Sequence, residues 1–248
     1  CGGHTHAISR YGVADLLPAS VRLIHGPGCP VCVLPVGRVD MAIRLALARP
    51  GLILCTYADC LRVPASDGLS LLKAKARGAE VRMVYSAADA LALARREPAR
   101  EVVFFAIGFE TTTPPTALVI RTAQREGLAN FSVLCCHVLT PSAITHILES
   151  PEVRQYGTVP IDGFIGPAHV SIVIGAAPYE HFAEEYRKPV VIAGFEPLDV
   201  MQAILMLIRQ VNDGRHEVEN EFTRAVTREG NAAAQALVAE VFELRENF

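Results

Sequence analysis

Seven short apolar runs, separated by longer stretches of helical composition, constrain this chain more than any other feature. The runs are Val21–His25, Leu52–Tyr57, Glu80–Tyr85, Val102–Ile107, Phe131–His137, Ile161–Ile165 and Val190–Ala193. Helices are predicted over Gly37–Arg49, Leu69–Arg77, Ala87–Arg96, Pro115–Glu126, Pro141–Glu149, Tyr179–Tyr186, Pro197–Val211, Val218–Arg228 and Asn231–Leu244. Strands that are apolar on both faces belong in a parallel sheet covered by helices. The β-then-α alternation therefore predicts an α/β fold of the doubly wound kind.

Two turn sequences recur and suggest a duplicated topology. Ile107-Gly108-Phe109-Glu110 is echoed by Ala193-Gly194-Phe195-Glu196, and His25-Gly26-Pro27 by Ile165-Gly166-Pro167. The expectation is two similar Rossmann-like, parallel-sheet subdomains of three or four strands each, with a cleft between them. Residues 1–115 would form the first and residues 116–248 the second, the latter with a helical C-terminal part. All four glycine turns are expected beyond the carboxyl ends of strands, where open α/β sheets bind ligands.

Composition narrows the function. Of 248 residues 51% are hydrophobic and 20% charged, which is a core-forming balance. The formal charge of -3, without a basic stripe or polybasic cluster, argues against nucleic-acid and membrane-surface partners. The weakly charged stretch from Val159 to Tyr179 is interrupted by Asp162, Gly163, Gly166, Pro167, His169 and Gly175, so no membrane span is predicted. Seven unevenly placed cysteines and no signal-peptide pattern predict a reducing, cytoplasmic setting, where close cysteine pairs serve metal or redox chemistry. The chain opens at Cys1 rather than methionine, which predicts processing or a piece of a longer protein.

Four motifs could carry chemistry. In Gly28-Cys29-Pro30-Val31-Cys32 two residues separate the cysteines, so the thiols can close a disulfide or share a metal, and placement before a helix favours a thiolate. Its structural alternative, a zinc half-site, needs a second such pair, and the sequence has none. In Cys1-Gly2-Gly3-His4-Thr5-His6 a soft thiolate and two imidazoles suit iron, copper or zinc, against the alternative of a frayed terminus. His4 and His6 would point opposite ways in an extended strand, leaving one of them as a ligand. In Gly108-Phe109-Glu110-Thr111-Thr112-Thr113 the threonines can cap the next helix and Glu110 offers a carboxylate, but an ordinary strand–helix junction explains the run equally well. His169, in Pro167-Ala168-His169-Val170-Ser171, sits after a strand-end turn; a packing histidine is slightly favoured on local grounds. His137, His146, His181 and His216 carry no motif. Cys55, Cys60, Cys135 and Cys136 read as small buried apolar residues.

Together these motifs resemble the HypD family of hydrogenase maturation proteins, whose patterns C-G-G-H-T-H, G-P-G-C-P-V-C, G-F-E-T-T and P-x-H-V-S-x-x-x-G occur here in that order. The resemblance runs over the whole chain but covers the central part of a typical member. It implies a redox-active scaffold, rather than a turnover enzyme, for building the Fe(CN)2CO moiety of [NiFe]-hydrogenase. By the resemblance, Cys1 holds iron with His4 beside it, and Cys29 and Cys32 relay electrons. Glu110, Thr111, Thr112 and His169 line the same cleft. The implied partners are a HypC-type small chaperone, a HypE-type cyanide donor with HypF upstream, and indirectly the hydrogenase large subunit. The family also carries a [4Fe–4S] cluster, whose cysteine-rich ligand region has no match among Cys55, Cys60, Cys135 and Cys136. A plain thiol–disulfide oxidoreductase is the first alternative; it leaves Cys1, His4 and Glu110 idle. An N-terminal cysteine nucleophile is the second, although that class builds antiparallel sheets rather than this βαβα pattern. A non-catalytic binding module is the third.

Overall fold

The computed structural model describes residues 2–26, 28–151 and 160–245. Packing groups the chain into two compact units, each discontinuous in sequence: residues 1–32 with 139–235, and residues 33–138 with 236–248. A single cut after residue 115, as expected from the sequence, would pass through one helix, Thr113–Arg125, of the second unit.

The unit built around residues 33–138 holds β1 (Ile53–Thr56), β2 (Glu80–Met83), β3 (Val102–Gly108) and β4 (Phe131–His137) in the order β2-β1-β3-β4, with every pairing parallel. Position in the sheet follows composition. Every residue of β1 and β3, the two interior strands, is buried, whereas β2 and β4 at the edges are only partly so. Ile53, Val102, Phe104 and Ala106 pack against Leu91 and Val119 of the covering helices. The helix Ala87–Arg96 starts where Ser86 and Asp89 form a reciprocal capping box. Beyond its other end, the Asn130 side-chain amide donates to the carbonyls of Ala94, Glu97 and Arg100 at 2.9, 3.1 and 3.0 Å, the first two of which the helix end would leave bare.

The other unit holds β5 (Phe164–Gly166), β6 (Val190–Ile192) and β7 (Val218–Asn220), again all parallel, with β6 central and fully buried. Tyr179, Phe182, Val190, Ile192 and Val226 form one core cluster. Ala7, Val13, Val200 and Ile204 form another, which seats the helix Gly2–Arg10 near the helix Pro197–Asn212. The two parallel, helix-covered sheets agree with the α/β, Rossmann-like expectation.

Three local expectations are corrected. Val21–His25 is irregular rather than a strand: Val21 and Leu23 pack on the Ala7–Val200 cluster, but the segment joins no sheet. Val218–Arg228 is not a helix. Its first three residues pair with β6 and turns follow, so Val218, Phe222 and Val226, which stand at helical spacing in the sequence, reach the Tyr179 cluster from a strand and turns instead. The first motif lies on a helix, not on an extended segment. Of the four glycine turns, three follow strands; the fourth begins at His25-Gly26 after irregular chain, and its Pro27 lies outside the described residues.

Candidate functional site

Cys1 lies outside the described residues, and the structure begins at Gly2, the first residue of the helix Gly2–Arg10. Helical spacing places His4 and Ala7 on the buried face and leaves His6 exposed, which separates the two imidazoles by a different geometry from the one expected. His4 is 4% exposed. Its Nε2–H donates to the carbonyl oxygens of Ala193 and Gly194, each at 3.0 Å. Carbonyls only accept, so the proton sits on Nε2 and Nδ1 keeps a bare lone pair. That Nδ1 is buried and has no hydrogen-bond partner among the described residues. Burial holds the imidazole below the ordinary histidine range, and the two backbone carbonyls offset this in part.

Phe195 joins two motifs that are far apart in sequence. Its ring centroid lies 4.9 Å from that of His4 and 4.6 Å from that of His169, the latter edge-on. Gly3 explains the second glycine of the first motif: a Cβ there would come within 2.6–2.9 Å of three Phe195 ring atoms. His169 itself is exposed, near the start of the short helix Ala168–Ile174 after β5.

The turn that carries Phe195 is held from below. A Cβ on Gly194 would fall onto the Asp199 carboxylate, so glycine is needed for Asp199 to sit where it does. Asp199 is buried and caps the helix Pro197–Asn212 in a capping box with Glu196. It also accepts a short charge-assisted bond from Arg224. Glu221 accepts from the Gly194 N–H at 3.2 Å, and burial pushes its carboxyl above the usual range. Phe195, Asp199, Glu221 and Arg224 were not singled out from the sequence. Phe195 stands within the repeated Gly-Phe-Glu turn, whereas Asp199, Glu221 and Arg224 belong to no motif in the sequence.

The Thr5 hydroxyl lies 3.3 Å from Nδ1 of His25, four residues before Cys29 in the chain. Cys29 and Cys32 are joined as a disulfide, with Cα atoms 5.2 Å apart. Pro30–Val33 makes a single helical turn, and the Cys32 N–H donates to the Cys29 carbonyl at 3.0 Å and to Cys29 Sγ at 3.2 Å.

Glu110, Thr111 and Thr112 belong to the other unit. Glu110 is buried, at 7% exposure, just past the end of β3, and Thr111 and Thr112 are half-buried. Thr112 and Thr113 both donate through their hydroxyls to the Phe109 carbonyl, at 3.0 and 3.1 Å, before the helix Thr113–Arg125. Gly108 permits this turn, since a Cβ there would overlap the Thr112 side chain. His137, at the end of β4, is 3.0 Å through Nε2 from the Thr116 hydroxyl, and burial lowers its pKa to about 4.

Cys55, Cys60 and Cys136 are buried, and desolvation pushes their thiols up to about 11, 12 and 11. Cys135 is exposed, contrary to its reading as a buried apolar residue, because β4 is an edge strand and adjacent residues face opposite sides. Among the described residues no three His, Cys, Asp or Glu side chains converge as a metal-binding group. Among the described residues the cysteines do not gather into the ligand set that an iron–sulfur cluster needs.

The family model HypD, described as the hydrogenase formation hypA family, matches residues 1–248. The hydrogenase maturation factor HypD of Cupriavidus necator is 77% identical over 248 residues, all of this chain and 65% of that protein. Its counterpart from Rhizobium leguminosarum bv. viciae is 72% identical over 248 residues, again all of this chain and 64% of that protein. The Escherichia coli factor is 48% identical over 242 residues, 98% of this chain and 63% of that protein. This chain thus spans about 65% of the length of the first of these relatives. With the family model matching from end to end and the motif residues gathered on two parallel-sheet units, the chain belongs to the HypD family of hydrogenase-formation proteins.

Proposed function

We propose that the chain is the iron-assembling part of a [NiFe]-hydrogenase maturation factor, on which an Fe(CN)2CO moiety is built. Iron is the cargo here, held by the Cys1 thiolate with His4 Nδ1 beside it. The observation that carries this reading is the state of His4. Its Nε2 is saturated by two backbone carbonyls, while its Nδ1 is a buried lone pair without a partner among the described residues, on the first turn after Cys1. A buried polar atom without a partner calls for an explanation, and a neutral imidazole nitrogen close in sequence to a thiolate is a donor pair suited to low-spin iron. His169 approaches the same Phe195 ring, and Glu110, Thr111 and Thr112 are assigned supporting roles from the family motif.

In this reading Cys29 and Cys32 supply electrons. Releasing cyanide from a sulfur-bound carrier breaks an S–CN bond and takes two electrons, leaving a thiolate and cyanide. Oxidation of the Cys29/Cys32 dithiol to a disulfide yields two electrons, so the exchange balances. The partners are a HypC-type chaperone sharing the iron and a HypE-type protein bringing cyanide. A [4Fe–4S] cluster that recharges the dithiol would need ligands beyond the described residues.

The test is the infrared spectrum of anaerobically purified full-length protein with its small chaperone, compared with Cys1→Ala and His4→Ala. Cyanide and carbon monoxide bands should be present in the wild type, absent in Cys1→Ala and shifted or weakened in His4→Ala. Unchanged bands in Cys1→Ala refute the iron site. If bands are absent from the wild type while the dithiol still turns over, a thiol–disulfide oxidoreductase becomes the better account.

A further inference from the structure

The two sulfurs of the Cys29–Cys32 disulfide are not equivalent. Cys32 is exposed, whereas Cys29 is half-buried. Cys29 Sγ accepts the Cys32 backbone N–H at 3.2 Å, a donor that would stay in place when the sulfur becomes a thiolate. We infer that the pair has a fixed direction: Cys32 is the exchange sulfur that an incoming thiolate attacks, and Cys29 is the leaving and resolving sulfur. This rests on the reading of Cys29 and Cys32 as a redox pair and adds which atom does what.

Two determinants of thiol–disulfide exchange agree. Access selects the exposed sulfur for attack, and Cys32 is the more exposed of the two. The preferred leaving group is the thiol of lower pKa. A hydrogen bond to a charged sulfur favours its ionised form, and Cys29 holds that bond. The step is balanced. A thiolate R–S⁻ bonds to Cys32 Sγ, the S–S bond breaks, and its electron pair leaves on Cys29 Sγ as a thiolate. A second R–S⁻ then attacks the R sulfur of the mixed disulfide, releasing the Cys32 thiolate and R–S–S–R. Two external thiols are thereby oxidised and one disulfide is reduced. By microscopic reversibility, when the dithiol delivers electrons to a disulfide-type acceptor, Cys32 attacks first and Cys29 closes the ring.

The test uses the unmodified full chain. Oxidised protein is mixed with glutathione, quenched in acid at short times, alkylated with N-ethylmaleimide, and mapped by peptide mass spectrometry. Glutathione should be found on Cys32 and maleimide on Cys29, with the opposite isomer the minor species. In the reduced protein, alkylation of Cys29 should reach its midpoint at lower pH than that of Cys32. Adducts chiefly on Cys29, or equally divided, overturn the direction and leave the redox pair standing. Both cysteines fully alkylated in the oxidised sample before any glutathione is added would overturn the pair and the direction together.

Discussion

Replacing Gly108 by alanine tests how the strand-end turn is built. The alanine Cβ would overlap Thr112 Oγ1, lie 2.8 Å from Thr112 Cβ and approach His137 Nδ1 to 3.2 Å. Gly108 ends β3, which is buried along its whole length, so the surroundings have little room to yield. Thr112 would have to leave its rotamer and lose the 3.0 Å bond to the Phe109 carbonyl. Overpacking costs about 1–3 kcal/mol and the lost bond about 0.5–1.5 kcal/mol. Alanine in an extended, right-handed-compatible backbone returns about 0.5–1 kcal/mol through the unfolded chain. The net is a destabilisation of about 2 kcal/mol, read as a fall in the urea midpoint followed by circular dichroism. The cause is separable by a double-mutant cycle. Thr112→Gly removes both clashing atoms, so Gly108→Ala combined with Thr112→Gly should recover most of the loss, with a coupling energy of at least about 1 kcal/mol. Gly37 is the matched control: it lies in the helix Val36–Ala48 with open space around its Cβ position, and Gly37→Ala should stabilise by about 0.5–1 kcal/mol. A Gly108→Ala protein as stable as the wild type, or simple additivity with Thr112→Gly, refutes the steric account.

Gly3→Ala should displace Phe195, perturb His4 and His169 together, and lower iron retention in the chaperone complex while leaving far-ultraviolet circular dichroism unchanged; full retention would show that the Phe195 contact does not position the site. His137 has its folded pKa depressed to about 4 from the ordinary 6.5, so its contribution to stability is complete above pH 6.5 and is lost as pH falls toward 4. His137→Gln should therefore flatten the decline of the urea midpoint across that window, and an unchanged slope would count against burial of the neutral ring. Cys55, Cys60 and Cys136 should resist iodoacetamide at pH 8 in the native protein while Cys135 reacts, because the first three thiols are buried and shifted to about 11, 12 and 11; equal labelling would contradict their burial.

The strands most legible in the sequence are those whose composition leaves no alternative. Val102–Gly108 is apolar on both faces, and only the interior of a helix-covered sheet accommodates such a run. Val218–Asn220 is at the other extreme. Three polar or weakly apolar residues have no periodicity to read, and they become a strand because β6 offers them a parallel partner. Val21–His25 fails in the opposite sense: it has strand composition, but Val21 and Leu23 find burial on a helical cluster without joining a sheet.

The same division holds at the candidate site. Residue types and spacing already determined which side chains could do chemistry: a cysteine pair two residues apart, a terminal cysteine beside histidines, and glycines at strand ends. The resemblance to the family was legible in those short motifs, and the family model matches from end to end. Only the tertiary structure decided that His4 is buried and His6 exposed, since that follows from a helix rather than a strand. It alone brought Ala193 and Gly194, about 190 residues away, to the His4 ring and so chose the tautomer. It alone recruited Phe195, Asp199, Glu221 and Arg224 to support that turn. Long-range contacts of this kind leave no local periodicity in a sequence, because each partner satisfies its own segment's pattern and the pairing exists only once the chain is packed.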